Sequence, residues 1–479
     1  MRRTPETTPG LRASSVSWWL DEALEHEGGP KPLPALGGVG RADVAIVGGG
    51  YTGLWTAIHL KTARPSLDVA LLEAGICGIG ASSRNAGKVH GYWMSLPTLA
   101  SMLGRERALE TARLGSAAQD GIRAFVRECG DDLWWIEGGG LKVATTPAHE
   151  RKLMAFTKAM LDLDASLMAR TVRSPELRRL IDSPLFRTGL FFPEEATVHP
   201  GRLVRALRRK ALQLGVRIYE ETPMTGLEPG APNRVRTPQG EIHAGEVVLA
   251  TNAALAGERD IRSSMVAFSS FALVTAKVDD IAGRSGWRAE CSLSDARMFL
   301  NYARKTADGR ILFGAGSGPI AYGARTQAHG LSHDQNTIER VEAAMRRLLP
   351  KTAGLAVERA WGGPIDVSSD RMPYAGTRNG TRIHYGFGYS GHGVNPTYIV
   401  GKCLASLVLR EENEWTRSSF CRRRLPTLPP EPFRYIGGNM IRSAILSCED
   451  AEEEGRKAAL PARALARLPE LLNLRIGVR

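Results

Sequence analysis

Residues 42–61, ADVAIVGGGYTGLWTAIHLK, limit the folds open to this chain more than any other stretch. The apolar run Val44–Val47 reads as a strand, and Leu54, Ala57, Ile58 and Lys61 then recur at helical spacing. Between them, Gly48, Gly50 and Gly53 form a G-x-G-x-x-G turn. Gly48 permits the tight turn, Gly50 lets the backbone approach a pyrophosphate, and Gly53 lets helix and strand pack closely. Unpaired N–H groups and the dipole at such a helix start favour a diphosphate. The next strand, DVALLEAG (68–75), ends in Glu73, twenty residues after Gly53. An acid there accepts hydrogen bonds from an adenosine ribose and disfavours a 2′-phosphate. The turn predicts a dinucleotide site and leaves NAD and FAD both open.

The rest of the chain sets the context. At 479 residues it exceeds one simple core, so two or three units are expected. No run of eighteen apolar residues appears, so no membrane span is expected. The start, MRRTPETTPG, carries a twin arginine with no apolar segment behind it; a cytoplasmic protein is the expectation. The six cysteines are scattered, with no C-x-x-C pair and no histidine cluster beside them, which points to free thiols and no metal site. Lysine and arginine number 63 against 50 acids, a net charge of +13. The basic clusters RALRRK (205–210) and CRRRL (421–425) lack interleaved aromatics, so they read as solvated surface and no nucleic-acid partner is expected.

Along the chain, residues 1–40 read as a leader holding the amphipathic piece SVSWWLDEALEHE and a Gly/Pro-rich link. Residues 99–168 are mostly helical, interrupted by DDLWWIEGGGLKVATT (131–146), which reads as a hairpin. A helix near 196–215 closes at Gly215, and 332–350 form an amphipathic helix. VRIYEE, EIHAGEVVLATN, FALVTAKV and RILFGAG read as strands, and 382–409 as a closing strand–turn–helix unit. The expected class is α/β: a discontinuous Rossmann-like nucleotide domain (41–98, 196–256, 361–410) and an α+β substrate domain with an antiparallel sheet (99–195, 257–360). Residues 411–479 form a C-terminal extension.

Three further stretches carry a resemblance: GICGIGASSRNAG (75–87), GEVVLATNAAL (245–255) and DRMPYAG…GYSGHGVNPTYIVGK (370–402). With the opening motif they resemble the FAD-dependent amine and amino-acid oxidase family, which includes D-amino-acid oxidase, glycine oxidase and sarcosine oxidase. The nearest branch looks like the gamma-glutamylputrescine-oxidase-like proteins. The resemblance implies FAD, held by Gly48, Gly50, Tyr51, Thr52, Gly53, Glu73 and Ala74 at the first turn. It places Ser82, Ser83, Arg84 and Asn85 beneath the diphosphate and flavin, with Ser83 and Ala86 standing where the family usually has glycine. Met224 falls where the family usually has a valine touching adenine, and Thr251 lies beside the nucleotide. Gly388, Tyr389, Ser390, Gly391, His392, Gly393 and Val394 form the loop facing the flavin's C2 carbonyl. Asn395 can cap the following helix and Pro396 can occupy its first turn, so that fixed dipoles favour the reduced ring. No cysteine stands in DVSSDRMPYAG, Asn85 stands at the other attachment position, and His90 is too late in the chain; noncovalent FAD is expected.

The family's chemistry needs a neutral amine with its αC–H near the flavin, and little acid–base machinery. Lys88 falls where the family's chain passes the flavin: a cation for oxygen activation or for a substrate anion, or a surface lysine flanking the loop. Tyr302 and Arg304 match a strand lining the family's substrate cavity, though a strand tyrosine also suits a core. Trp361 suits a pocket wall or the core. Arg371 matches the motif leading to the flavin, with an ion pair to Asp370 as its structural alternative. The implied activity is oxidation of an amine or amino acid to an imine, then to a carbonyl, with O2 as acceptor giving H2O2. An amine dehydrogenase feeding a quinone or carrier protein, or a noncatalytic FAD-containing basic protein, are the rivals. The substrate and oligomeric state are not readable.

Overall fold

The computed structural model describes Thr8 and residues 10–471; the twin arginine at 2–3 and the end of the C-terminal extension, 472–479, lie outside the described residues. Two large sheets organise the described chain. The first has a parallel core in the spatial order 217–219, 69–72, 38–47, 240–249 and 383–387. The order reverses around strand Gly38–Val47, as in doubly wound nucleotide folds, where ligands bind beyond the strands' carboxyl ends.

Alternation explains why this sheet is buried on both faces. Val44, Ile46 and Leu71 enter one core with the helices Tyr51–Ala63, Pro200–Gln213 and Val394–Leu409. Ala45, Val47, Ala70 and Leu72 face the other way, toward Val235, Ile242 and Leu255.

The second sheet has nine strands and is mostly antiparallel, running from 13–14 through 357–368, 265–275, 311–315, 301–305, 292–295, 140–144 and 188–192 to 170–173. One face packs Phe271, Leu273, Phe313 and Leu141 against the helix Gln335–Leu348 through Ile338, Val341 and Met345. The other face looks toward the parallel-sheet body. A two-stranded ribbon, 88–89 with 196–197, connects the two.

Several expected elements take a different form. Residues 131–146 are not a hairpin: only Gly140–Ala144 is a strand, and its partners are Thr188–Phe192 and Ser292–Asp295. The left-handed Trp134 and Gly139 carry the upstream segment away, so that Ile136 bridges Thr197 instead. The described part of the segment ahead of residue 40, from residue 10 on, is built into the fold. Ala13–Ser14 adds to the nine-stranded sheet beside Ala360 and Trp361, and the helix Trp18–His26 buries Trp18, Trp19, Leu20 and Ala23. Each large side chain so buried stabilises the fold by about 1.5–3 kcal/mol. The helix starts on Ser17, whose hydroxyl accepts from the Leu20 N–H, and Glu22 ties it to His199 (2.8 Å) and to Arg202. Burial presses the His199 imidazole down to about 4, and those two partners draw Glu22 to about 2 against its own burial.

Asn395 does not cap the last helix of the parallel-sheet body. Gly393 is the cap residue and the helix starts at Val394; Asn395 already lies inside it and donates from Nδ2 to the Gly115 carbonyl (2.9 Å). Its amide holds the helix Arg105–Glu128 against this one, leaving the N-terminal amides without a side-chain cap.

Candidate functional site

The glycine turn is built as its spacing requires. Gly48 has φ +112°, and a Cβ there would lie 2.5 Å from the Ala250 carbonyl oxygen; a Cβ on Gly53 would lie 1.9 Å from the Gly48 oxygen. Both positions are closed to side chains by backbone. At Gly50, by contrast, a Cβ would meet a side-chain atom rather than backbone, Ser82 Oγ at 2.9 Å, so only that hydroxyl would have to shift. Ser82 Oγ accepts from the Tyr51 N–H (2.9 Å), which fixes the loop 81–87 over the helix start. Glu73 stands at the adjacent strand end, its carboxylate accepting from the Gly49 and Gly75 N–H groups (2.7 and 3.0 Å), and burial raises its pKa. A buried acid held by backbone donors suits the hydroxyls of a ribose. The residues present therefore fit a dinucleotide.

The loop after Ala81 is shaped by its own polar side chains. Arg84 uses Nε, Nη1 and Nη2 on the carbonyls of Ile79, Gly362 and Ser15 (3.1, 2.6 and 2.5 Å). Its guanidinium is thus a brace between the N-terminal segment, the loop and strand Val357–Ser368. Asn85 donates to the Ala81 and Ser82 carbonyls and accepts from the Gly87 N–H (3.1, 2.9 and 2.7 Å). Ser83 is buried and accepts from the Ser17 hydroxyl (3.3 Å). Trp361 donates to the Arg84 carbonyl (3.0 Å) and packs with Trp18, Trp19 and Ala86.

The loop 388–394 meets this cradle from the other end of the chain. Tyr389 shares a 2.6 Å hydrogen bond with Thr52, joining the first and last motifs directly. Gly388, Ser390 and Gly391 all have positive φ, and Asp366 holds the turn they make. Asp366 Oδ2 accepts from the Gly388 N–H (2.5 Å), Oδ1 from Asn252 (3.1 Å), and the Asp366 carbonyl from the Ser390 N–H (2.8 Å). The turn therefore rests on one residue, through its carboxyl group at one end and its backbone at the other. Full burial raises the Asp366 carboxyl to about 7. Met224, like Tyr219 and Leu227, packs on the core behind the parallel sheet, and Thr251 precedes the short turn Asn252–Gly257 without a side-chain capping bond, its N–H near the Gly48 contact.

A cavity of about 450 Å³ adjoins this loop. Tyr389 and His392 line it from the last motif, His90 and Tyr92 from the segment after the cradle loop, and Lys142, Leu190 and Phe192 from the nine-stranded sheet. Lys152 and Phe156 enter from the helix Pro147–Asp162, and Arg371 from the turn after strand Val357–Ser368. Asp370 also borders the cavity, and its ion pair is with Arg423 (Nε to Oδ2 2.6 Å, Nη2 to Oδ1 3.1 Å). Among the described residues, Arg371, Lys142 and Lys152 are the cationic side chains of the lining, and Lys152 Nζ also donates to the Ala296 carbonyl (2.9 Å).

The two histidines are edge to face, 5.5 Å between ring centroids. Burial lowers both pKa values, that of His392 well below the usual range, and so favours the neutral form of both rings. His90 Nδ1 lies 3.1 Å from the Gly91 carbonyl oxygen, a contact that requires the proton on Nδ1 and leaves Nε2 as an acceptor.

The other expected catalytic residues lie apart from the cavity lining. Lys88, on the connecting ribbon, pairs with the buried Glu195 (3.1 Å), and its charge reaches both His90 and His392. Tyr302 is bonded to Ser270 (3.2 Å) and packs with the Trp18–Trp361 cluster. Arg304 is buried and donates to the Val198 and Ala86 carbonyls (2.7 and 3.3 Å); burial lowers it to about 9. Strand 301–305 thus supports the cradle loop. Sequence reasoning missed Asp366, Lys142 and Lys152, and weighed His90 only as an attachment point. Among the described residues no cluster suits a metal ion, and no helix is long and apolar enough to cross a membrane. All six cysteines are free.

Known proteins share this outline. Residues 43–407 match the family model described as FAD dependent oxidoreductase. The chain is 30% identical over 416 residues to gamma-glutamylputrescine oxidoreductase of Escherichia coli K12, covering 84% of this chain and 89% of that protein. It is 25% identical over 389 residues to glycine oxidase of Geobacillus kaustophilus, covering 80% and 97%. The crystal structure of a glycine oxidase from that organism superposes with a TM-score of 0.65 over 80% of this chain and 99% of the other, at 22% identity.

Proposed function

The chain belongs to the FAD dependent oxidoreductase family, and from that premise we propose that it oxidises the C–N bond of an amine or amino acid bearing an anionic group. The observation that carries this reading is that Tyr389 and His392 belong at once to the cradle loop and to the cavity wall. A cavity occupant therefore lies beside whatever the loop holds. Bound FAD supplies the two-electron acceptor. Gly48–Gly53, Glu73, Ser82 and the loop Gly388–Val394 hold it, without a covalent link.

The amine gives up two electrons and two protons to become an imine, water converts the imine to a carbonyl compound and an amine or ammonia, and dioxygen takes the electrons and protons as hydrogen peroxide. Arg371, Lys142 and Lys152 attract the substrate's anionic group and so orient its αC–H. His90 Nε2 takes the ammonium proton, because the amine must be neutral before it is oxidised. Lys88, fixed by Glu195, places positive charge where dioxygen acquires electrons. Tyr302, through its packing around Ala86, keeps the loop in position.

The test is the visible spectrum of the purified protein before and after anaerobic mixing with pools of amines and amino acids. A yellow flavin bleached by one pool, followed by oxygen uptake on admission of air, is the expected result. Bleaching with dye reduction but no oxygen uptake would move the acceptor to a quinone or carrier protein. A flavin that no pool bleaches would overturn the reading.

A further inference from the structure

The two C-terminal helices, Phe433–Glu453 and Leu460–Leu471, follow the stretch matched to the family, which ends at residue 407. They are nevertheless joined to the cavity. Arg297, almost fully buried, donates to Glu449 (3.2 Å), Asp450 (2.7 Å) and Glu453 (3.1 Å) on the first of them, and Arg347 adds a 2.7 Å bond to Glu453. The neighbouring Met298 N–H is held by Glu449, and the Met298 side chain lines the cavity.

Ile441 and Ile445 sink into a cluster with Phe268, Phe299, Ile320 and Val367, and Leu465 and Ala466 of the last helix pack on that same cluster. From there Ala466 and Pro469 face the cavity directly. The wall they form is thus set by three carboxylates on one arginine and an apolar seam, and it presents its smallest side chain, a methyl group, to the ligand space.

We propose that the last helix is a specificity-determining wall of the substrate cavity, and that Ala466 sets how long or bulky an anionic amine substrate can be. The substrate assignment rests on the reading above; the wall itself rests on the position of the helix. A larger side chain at 466 takes space from the cavity without touching the nucleotide cradle.

The experiment titrates the FAD-loaded protein with dicarboxylates of increasing length, malonate, glutarate and adipate, and follows the flavin absorbance. These probes present carboxylates to the cavity lined by Arg371, Lys142 and Lys152 without turnover. Ala466→Trp is expected to weaken adipate and glutarate by about tenfold or more while malonate stays within roughly twofold, with Ala466→Leu in between. Should the Trp variant fail to retain FAD, the Leu variant decides by the same length dependence. Equal losses at every length, no loss at any length, or no response of the unmodified protein to any dicarboxylate would each overturn the proposal. Failure of every amine pool to bleach the flavin would sink the proposed reaction and leave this titration readable.

Discussion

The glycine-turn cradle and the cavity beside it touch at Tyr389 and His392, yet they are made in opposite ways. The cradle is made largely by backbone: glycines at contact distance, amides aimed at a strand end, and side chains such as Arg84 and Asn85 used on loop carbonyls. The cavity is made by side chains gathered from segments between residues 90 and 469. A backbone site tolerates no change of shape. A side-chain site can be retuned one residue at a time while the fold persists.

The sharpest test of that difference lies at two glycines of one turn. Gly53→Ala puts a methyl group into the Gly48 carbonyl, so FAD affinity should fall by a hundredfold or more, about 3 kcal/mol, and thermal stability with it. Gly50→Ala meets only the Ser82 hydroxyl, so it should lose FAD while the apoprotein's melting temperature stays near that of the unmodified apoprotein. Fluorescence titration with FAD and thermal melts of both apoproteins check this. Equal destabilisation by the two substitutions would remove the distinction.

The same contrast explains what could be read from residues alone. The glycine turn is legible because its demands are local: strand, turn, helix and Glu73 fall within one short stretch, and each glycine answers a steric need. Asp366 is not, because its role exists only when the loop at 388–390 folds back over it, and a lone acid in an apolar strand gives no sign of its partner. Lys142 alternates with the buried Leu141 and Val143, but that pattern does not say that its outer face looks into a cavity rather than water. The hairpin expected at 131–146 fails for a related reason: strand Gly140–Ala144 finds its partners at long range. Asn395 has a capping residue's chemistry but sits inside the helix, where its amide serves a neighbouring helix instead.

On the cavity side, Arg371→Ala should lower kcat/KM for the substrate by roughly 30- to 150-fold, the value of about 2–3 kcal/mol for a charge-assisted contact, with FAD binding retained. Steady-state kinetics beside a flavin titration separate the two. Loss of FAD instead would place Arg371 in the cradle.

A smaller effect probes the ribbon between the sites. Lys88→Met should slow reoxidation of the reduced protein by dioxygen by about tenfold, or about 1.4 kcal/mol, and leave anaerobic reduction by substrate nearly unchanged. Because Glu195 is then buried without its cation, the melting temperature should drop too, and Lys88→Met combined with Glu195→Gln should recover it. Stopped-flow measurement of the two half-reactions is the check, and an unchanged oxygen rate in both variants would remove Lys88 from the chemistry.

The most graded prediction concerns Asp366, where cradle and cavity share a support. Its carboxyl rises from an ordinary 3.8 to about 7 because full burial penalises the charge more than the Gly388 and Asn252 donors favour it. The folded protein thus keeps this proton over a range in which the unfolded chain has lost it. Below about pH 3.8 both states are protonated and the contribution is whole; it falls as pH rises toward 7, and above that it is gone. The slope is on the order of 1 kcal/mol per pH unit. Asp366→Asn removes the titration and sets one amide N–H₂ against a donor, so the variant should be less stable at pH 5 and lose less on going to pH 8. Melting temperature and FAD release, both followed across that interval, report the difference between variant and unmodified protein. Parallel curves would mean that the loop's support does not titrate, and that the cradle depends on the shape of Asp366 alone.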